Sequence, residues 1–294
     1  MLFPYTFRRG GRRSCSQEIP ALPIDTCVAN WANRVVQSGG AAPSSETQLA
    51  LSTFYVGLLA NPTLFAKLKA VNCFVPDNLT ACLTPLISYW GSTIWANGGF
   101  VSGDVSTAGL AGNGSKYLNT GAIPGQMFGA NSNNSAGITL YASVNPSISN
   151  SDIDAGLATG SGAQAFYLAC VYASYSYWHN CNNVGGQGAL GVAYPQATGY
   201  FSGNRTASNY SALYVASSTL THNVASSIST NGGANPGGYP AYVFANNNNG
   251  GGPQAISHKT FSFAAFHDGL TVDESSNFYN LIQAMRRALG GGYV

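Results

Sequence analysis

From about residue 91 to residue 270 the chain repeats one local pattern. Short runs rich in Val, Ile, Tyr, Phe and Thr alternate with clusters of Gly, Asn and Ser. Runs of that length and composition, punctuated in that way, predict β-strands. Residues 137–144 (GITLYASV) alternate Ile138, Leu140, Ala142 and Val144 with polar or aromatic partners. That period of two sends alternate side chains to opposite faces of a sheet. Residues 165–173, 175–178, 189–194, 198–202, 211–216, 241–245 and 260–266 repeat the theme. No long helical pattern intervenes, and parallel crossovers would need one. The expectation is a mainly β fold, an antiparallel sandwich. The polar tracts near residues 133 (NSNNSAG) and 248 (NNNNGGGP) read as loops at its ends. No repeat of fixed period is present, which disfavours a propeller or a solenoid.

Helical patterns flank this zone. In residues 25–90, Val28, Trp31, Val35 and Val36 recur at helical spacing until Gly39 and Gly40. Ser45 and Gln48 form a capping-box signature ahead of Leu51, Phe54, Tyr55, Leu58 and Leu59. Asn61-Pro62 predicts a restart, as N-cap and first helical residue, running through Leu64, Phe65, Leu68 and Val71. These helices have one apolar stripe each and are suited to lie on another layer. At the other end, Thr271 and Glu274 make a second capping box. Phe278, Leu281, Ile282, Met285 and Leu289 line one face, Arg286 and Arg287 occupy the last turn, and Gly290 stops the helix. The expected organisation is an arm over 1–24, a small helical region over 25–90, and a sandwich over 91–294 that ends in a helix over 271–289.

Charge is the other constraint. Lys, Arg, Asp and Glu make up 7% of the 294 residues, against about 25% in ordinary globular proteins. An exterior of roughly 12,000 Å² then carries Ser, Thr, Asn, Gly and Tyr for the most part. Such a surface repels neighbours weakly and suits an assembly or a polyhydroxylated ligand. Arg8, Arg9, Arg12 and Arg13 crowd the arm, and beyond residue 25 basic and acidic residues balance. No basic stripe remains for nucleic acid. No run approaches the length of a membrane span. The first twenty residues lack the order of a signal peptide, since the arginines follow the short apolar stretch.

Six cysteines, at 15, 27, 73, 82, 170 and 181, contain no C-x-x-C pair, so structural zinc is not expected. Cys73 with Cys82 and Cys170 with Cys181 are spaced to close short loops, and free buried thiols are the alternative. Catalytic candidates are few. His267 and Asp268 are adjacent, but strand neighbours point to opposite faces, so a strand end leading into the last helix is the simpler reading. Glycoside hydrolysis needs two carboxyls about 5 to 9.5 Å apart. The close acidic pairs are Asp273/Glu274, which the helix start accounts for, and Asp152/Asp154 in a loop-like stretch. The latter is a weak calcium candidate, short of oxygens. No nucleophile elbow, Walker loop or H-E-x-x-H is present, and neither a cofactor nor a metal is expected. Binding chemistry is better supplied. Tyr175, Tyr177 and Trp178 are followed by Asn180 and Asn182, aromatic faces for sugar rings and amides for hydroxyls. Filling of the core by the aromatics and a turn made by the asparagines is the competing account.

Residues 112–121 (GNGSKYLNTG) resemble the G-D-G-S-x-Y-L-D-T-G opening of a lectin-like domain found in bacteriophage structural proteins. A lead-in like residues 49–75, a segment like 241–252 and a tail like 261–290 stand in the same order in that family. Asn113 and Asn119 replace its aspartates, which weakens any inference of metal or charged-ligand contact there. The resemblance implies a concanavalin A-like jelly roll and a virion component of tail, fibre or head. On that basis the chain is expected to be a non-enzymatic virion protein, and its low charge and arm suggest a homo-oligomer, with a trimer as one arrangement. Other virion proteins would be its partners and host surface glycans a candidate ligand. Its arm would grip the particle through Phe3, Tyr5, Phe7, Arg8, Arg9, Arg12 and Arg13. The alternative is a glycan-degrading enzyme on the same fold, dependent on Asp152 or Asp154.

Overall fold

A computed structural model describes residues 24–129, 135–146, 152–158, 165–172, 175–179, 189–193, 198–207, 209–217, 223–228 and 238–292. Within them, the side chains of residues 172, 175, 177–179, 189, 191–193 and 223–228 are outside the description. The arm residues Phe3, Tyr5, Phe7, Arg8, Arg9, Arg12 and Arg13 lie outside the described residues.

The chain begins with helices α1 (Thr26–Gln37), α2 (Ser45–Leu59) and α3 (Pro62–Lys67). Asp25 caps α1 by accepting from the Cys27 amide at 2.7 Å. Ser44, one residue ahead of the expected Ser45, caps α2 by accepting from the Thr47 amide, while Gln48 donates to the Pro43 carbonyl. Pro62 opens α3 as expected, but Asn61 makes no capping bond and instead donates to the Gly57 carbonyl. The expected continuation of α3 to Val71 is corrected: the helix stops at Lys67, and Leu68–Cys73 is strand β1. Leu68, Ala70, Val71 and Cys73 are all buried. A helical stripe would bury one face only, whereas this segment pairs on both edges and is covered on both faces.

After α4 (Leu79–Leu83) come β2 (Ile87–Ser88), β3 (Ala96–Gly98), β4 (Val105–Ser106), β5 (Gly109–Ala111), β6 (Tyr117–Asn119) and α5 (Pro124–Met127). The long strands follow: β7 (Ala136–Val144), β8 (Ala155–Ala158), β9 (Ala165–Tyr172), β10 (Tyr175–His179), β11 (Ala189–Ala193), β12 (Gly199–Ala207), β13 (Tyr210–Ala216) and β14 (Asn223–Ile228). Then β15 (Tyr242–Val243), β16 (Asn246–Asn248) and β17 (Pro253–Gln254) lead to β18 (Thr260–His267) and helix α6 (Val272–Ala288). The strands form two sheets. One runs β14-β13-β12-β7-β18-β1-β2, and β5 continues the edge of β18 that β1 leaves. The other runs β11-β10-β9-β8-β15-β6-β3, with β16 beside β8 as a parallel pair. Among the described residues every other pairing is antiparallel. The fold is mainly β, two sheets packed as a sandwich with a C-terminal helix.

The alternation along β7 explains how three layers stack. Ile138, Leu140 and Ala142 face the second sheet and pack with Phe166, Leu168, Phe201, Phe261 and Phe266. Tyr141, from the opposite set, enters a second core with Trp31, Phe54, Phe263, Phe278 and Ile282 beneath the helices. Phe263 stands edge-on to Phe54 at 5.9 Å and to Phe278 at 5.4 Å, an arrangement that adds about 0.5–1.5 kcal/mol per pair beyond burial. The first sheet is thus buried on both faces, which is why β18 reads TFSFAAFH without a solvent face. Helix α6 covers the sandwich as its capping box and apolar stripe suggest, with the reciprocal bonds of Thr271 and Glu274 in place. Among the described residues no helix is long and apolar enough to cross a membrane. Cys27, Cys73, Cys82 and Cys170 are free thiols. Burial pushes the Cys73 and Cys82 thiols up, and the suggested Cys73–Cys82 bridge is absent. Cys181 lies outside the described residues.

Candidate active site

Three segments converge at one end of the second sheet: residues 152–154 leading into β8, residues 255–259 leading into β18, and the glycine loop between β5 and β6. Asp154 is fully buried and accepts three bonds, from Ser257 Oγ at 2.6 Å, Lys259 Nζ at 3.1 Å and the Cys170 amide at 2.6 Å. Asp152 is nearly buried and accepts from the His258 amide at 3.0 Å. Its carboxylate also lies 3.1 and 3.3 Å from His258 Nδ1. Lys259 Nζ stands between the two acids, 3.6 Å from Asp152 Oδ2. Burial works against the Lys259 charge, yet Asp154 and Asp152 outweigh it and raise its pKa. Burial, reinforced by the charge of Asp154, raises the Cys170 thiol well above its ordinary range, which leaves it protonated and unreactive.

The backbone around this cluster is constrained. Phe244 has φ of 68° and Ala255 has φ of 50°, a left-handed region that side chains disfavour. The Phe244 amide donates to the Asp154 carbonyl and its carbonyl accepts from the Ser257 amide, each at 2.7 Å. Ala255 accepts from the Ile153 amide at 2.8 Å. Both strained residues therefore tie the aspartate segment to the lysine segment, and such strain gathers where a constellation must be held. The loop of residues 112–114 closes over the same place. Gly112 and Gly114 donate to the carbonyls of Lys259 and Ser257. Gly114 has φ of 79°, and a Cβ there would overlap Nε2 of His258. Only glycine lets the imidazole rest on this loop.

The result is a graded arrangement. An imidazole with 44% of its side chain exposed sits on a carboxylate that is 7% exposed, backed by an ammonium that solvent does not reach. An imidazole whose Nδ1 is held by a carboxylate presents Nε2 for proton transfer. The cation between Asp152 and Asp154 is the Lys259 ammonium, and among the described residues no three His, Cys, Asp or Glu gather to hold a metal. Sequence reasoning singled out the two aspartates but missed their partners. His258 and Lys259 lie more than 100 residues away, and the odd juxtaposition of a His-Lys pair ahead of an apolar strand was the available signal.

The other candidates fall elsewhere. His267 and Asp268 form no dyad, as expected. Asp268 pairs with Lys69, while His267 Nδ1 donates to the Asp268 carbonyl and Nε2 accepts from Thr139 Oγ1, both at 2.8 Å. Burial lowers the His267 pKa to about 4. Glu274 serves the helix cap and also pairs with Lys67. Tyr175, Tyr177 and Trp178 lie on β10, between β9 and β11, and their side chains are outside the description. Asn180 and Asn182 lie outside the described residues.

No protein-family model matches the chain, and no curated protein matches its sequence. Among solved structures it is similar to a GH54 α-L-arabinofuranosidase, at 14% identity and a TM-score of 0.43, over 63% of this chain and 41% of that one. It is also similar to domain 4 of AbnA, a GH43 extracellular arabinanase from Geobacillus stearothermophilus, at 10% identity and a TM-score of 0.45. That match covers 72% of this chain and 98% of the domain. A third is the enzymatically active domain of tailspike protein 2 from bacteriophage CBA120, at 15% identity and a TM-score of 0.40, over 65% and 30%. The chain thus spans about two fifths of the arabinofuranosidase. Two expectations are corrected against these neighbours, that of a non-enzymatic virion structural protein and that of no enzyme at all. The first two neighbours are an arabinofuranosidase and a domain of an arabinanase, and the phage protein is an enzymatically active domain. The sequence reading placed Asp152 in a loop-like stretch; its carboxylate is nearly buried and held against an exposed imidazole.

Proposed function

We propose that the chain is a glycan-degrading enzyme whose proton-transfer group is His258, oriented by Asp152. The observation that carries this reading is the exposed imidazole held at 3.1 Å by a nearly buried carboxylate, with Lys259 behind it. In its protonated form His258 donates from Nε2 to the glycosidic oxygen as the carbon–oxygen bond breaks. Water adds at the anomeric carbon and its proton returns to the site. Asp152 stabilises the imidazolium, and Lys259 balances the charge of Asp152. Asp154, with both oxygens engaged, is a positioning residue that fixes Lys259.

The four ordered segments that resemble bacteriophage lectin-like domains support a setting on a phage particle, with host surface glycan as the substrate. They also support assigning the sandwich to the concanavalin A-like jelly-roll type. Tyr175, Tyr177, Trp178, Asn180 and Asn182 are the proposed sugar contacts, by the stacking and amide chemistry of their side chains. The weakly charged exterior supports association of several copies.

The test is release of reducing ends by the purified full chain from a panel of neutral and acidic polysaccharides. The reading expects release from at least one, reduced about 100-fold or more in Asp152→Asn and His258→Ala. Absence of release across the panel overturns it, as does undiminished release by both variants.

A further inference from the structure

Helices α2 and α6 cross antiparallel at Gly57, where a Cβ would overlap Leu281. Towards the start of α2 the facing residues of α6 are Ala284 and Ala288, one turn apart and small. A groove of about 350 Å³ results, lined by Leu49, Thr53, Leu281, Ala284 and Ala288 with Glu46 among them. It is predominantly apolar, and Leu49 and Val56 on α2 are 36% and 54% exposed. The place where the described chain begins lies on the same helix. The Asp25 amide donates to Ser52 Oγ at 3.0 Å, one residue and about 100° of helix rotation from Thr53.

We propose that the first residues of the same chain occupy this groove, with Leu2, Phe3, Tyr5 and Phe7 filling it and the arginines that follow meeting Glu46. Three observations favour this occupant. The described chain begins against α2, the helix whose other face lines the groove. Fifteen residues lie between Arg8 and Ile24, a reach of up to about 50 Å where one helix is about 10 Å across. The order of the segment, four large apolar residues and then four arginines, matches an apolar groove that carries a carboxylate, and among the described residues Glu46 accepts from the Ser45 hydroxyl at 3.2 Å and meets no cation. Apolar anchors in a groove between helices are a general mode of segment recognition.

The test uses the full chain with the photo-crosslinker benzoylphenylalanine in place of Phe7, irradiated over a dilution series. Crosslinks within one chain, mapping to residues 45–59 and 272–288 at every dilution, are expected. Ala284→Arg, at a position exposed among the described residues, should abolish them, with the circular dichroism spectrum of the parent chain retained as the check that the variant folds. Crosslinks that join two chains and fade on dilution overturn the proposal by assigning the groove to a second copy. Crosslinks elsewhere, none, or crosslinks indifferent to Ala284→Arg overturn it as well. Polysaccharide turnover at His258 takes no part in this experiment, so either reading can fail alone.

Discussion

Two regions of this molecule bury polar and charged groups, and they do so for different ends. Under α6, Thr139 meets Ser202 at 2.7 Å and His267 at 2.8 Å, Tyr200 meets Ser275 at 2.8 Å, and Gln283 donates to Tyr141 at 2.7 Å. Arg286 lies 3.8 Å over the Tyr141 ring and donates to Ser143 and to the carbonyls of Gly291 and Gly292. That layer is closed to solvent, and its histidine is held neutral by burial. The cluster of Asp152, Asp154, His258 and Lys259 is ionic instead, and it opens to solvent at His258. A closed layer of hydrogen bonds fixes how a helix seats on a sheet. A buried charge pair with one exposed end holds a proton-transfer group in place, at a cost in desolvation that stability alone would not select.

Four measurements would break or sharpen this contrast. The largest effect is expected at Lys259. Lys259→Met strands two carboxylates, one fully buried, and should lower unfolding free energy in urea by about 3–5 kcal/mol. A loss below about 1 kcal/mol would mean that the cluster is solvated and the contrast false. Next is acid. The His267 pKa falls from 6.5 to about 4 on folding, so the unfolded chain binds a proton that the folded chain refuses. Stability should therefore drop as pH falls from 6.5 to 4, with a slope approaching about 1.4 kcal/mol per pH unit from this group. His267→Gln should remove that share of the slope, read as the difference between the two urea titrations. Tyr200→Phe removes the hydroxyl that meets Ser275 and should cost about 1 kcal/mol. Smallest is His258→Ala, expected to stay within about 0.5 kcal/mol of the parent chain while polysaccharide release is lost. A large destabilisation there would make His258 a structural residue like His267.

Much of the fold was legible because it is written in local periods. The alternation of residues 137–144 anticipated β7, and the capping box at Thr271 anticipated α6. The misreading at residues 68–73 shows the limit. Leu68, Ala70, Val71 and Cys73 fit a helical stripe as well as they fit a strand, and only a second covered face distinguishes them. The site was half legible. Asp152 and Asp154 stood out by their alternate spacing, but their chemistry depends on partners more than 100 residues away. The adjacent pair His267-Asp268 is no dyad, as strand alternation implied, and the Asp268 carboxylate pairs with Lys69.

Residue order alone determined the strand-rich sandwich, the terminal helix with both its stops, and the sparsely charged exterior, since each depends on neighbours within a few positions. Tertiary structure decided that the first sheet is buried on both faces and which aspartate belongs to Lys259. It also decided which histidine reaches water. Those outcomes depend on desolvation, which a side chain acquires only when distant segments close around it.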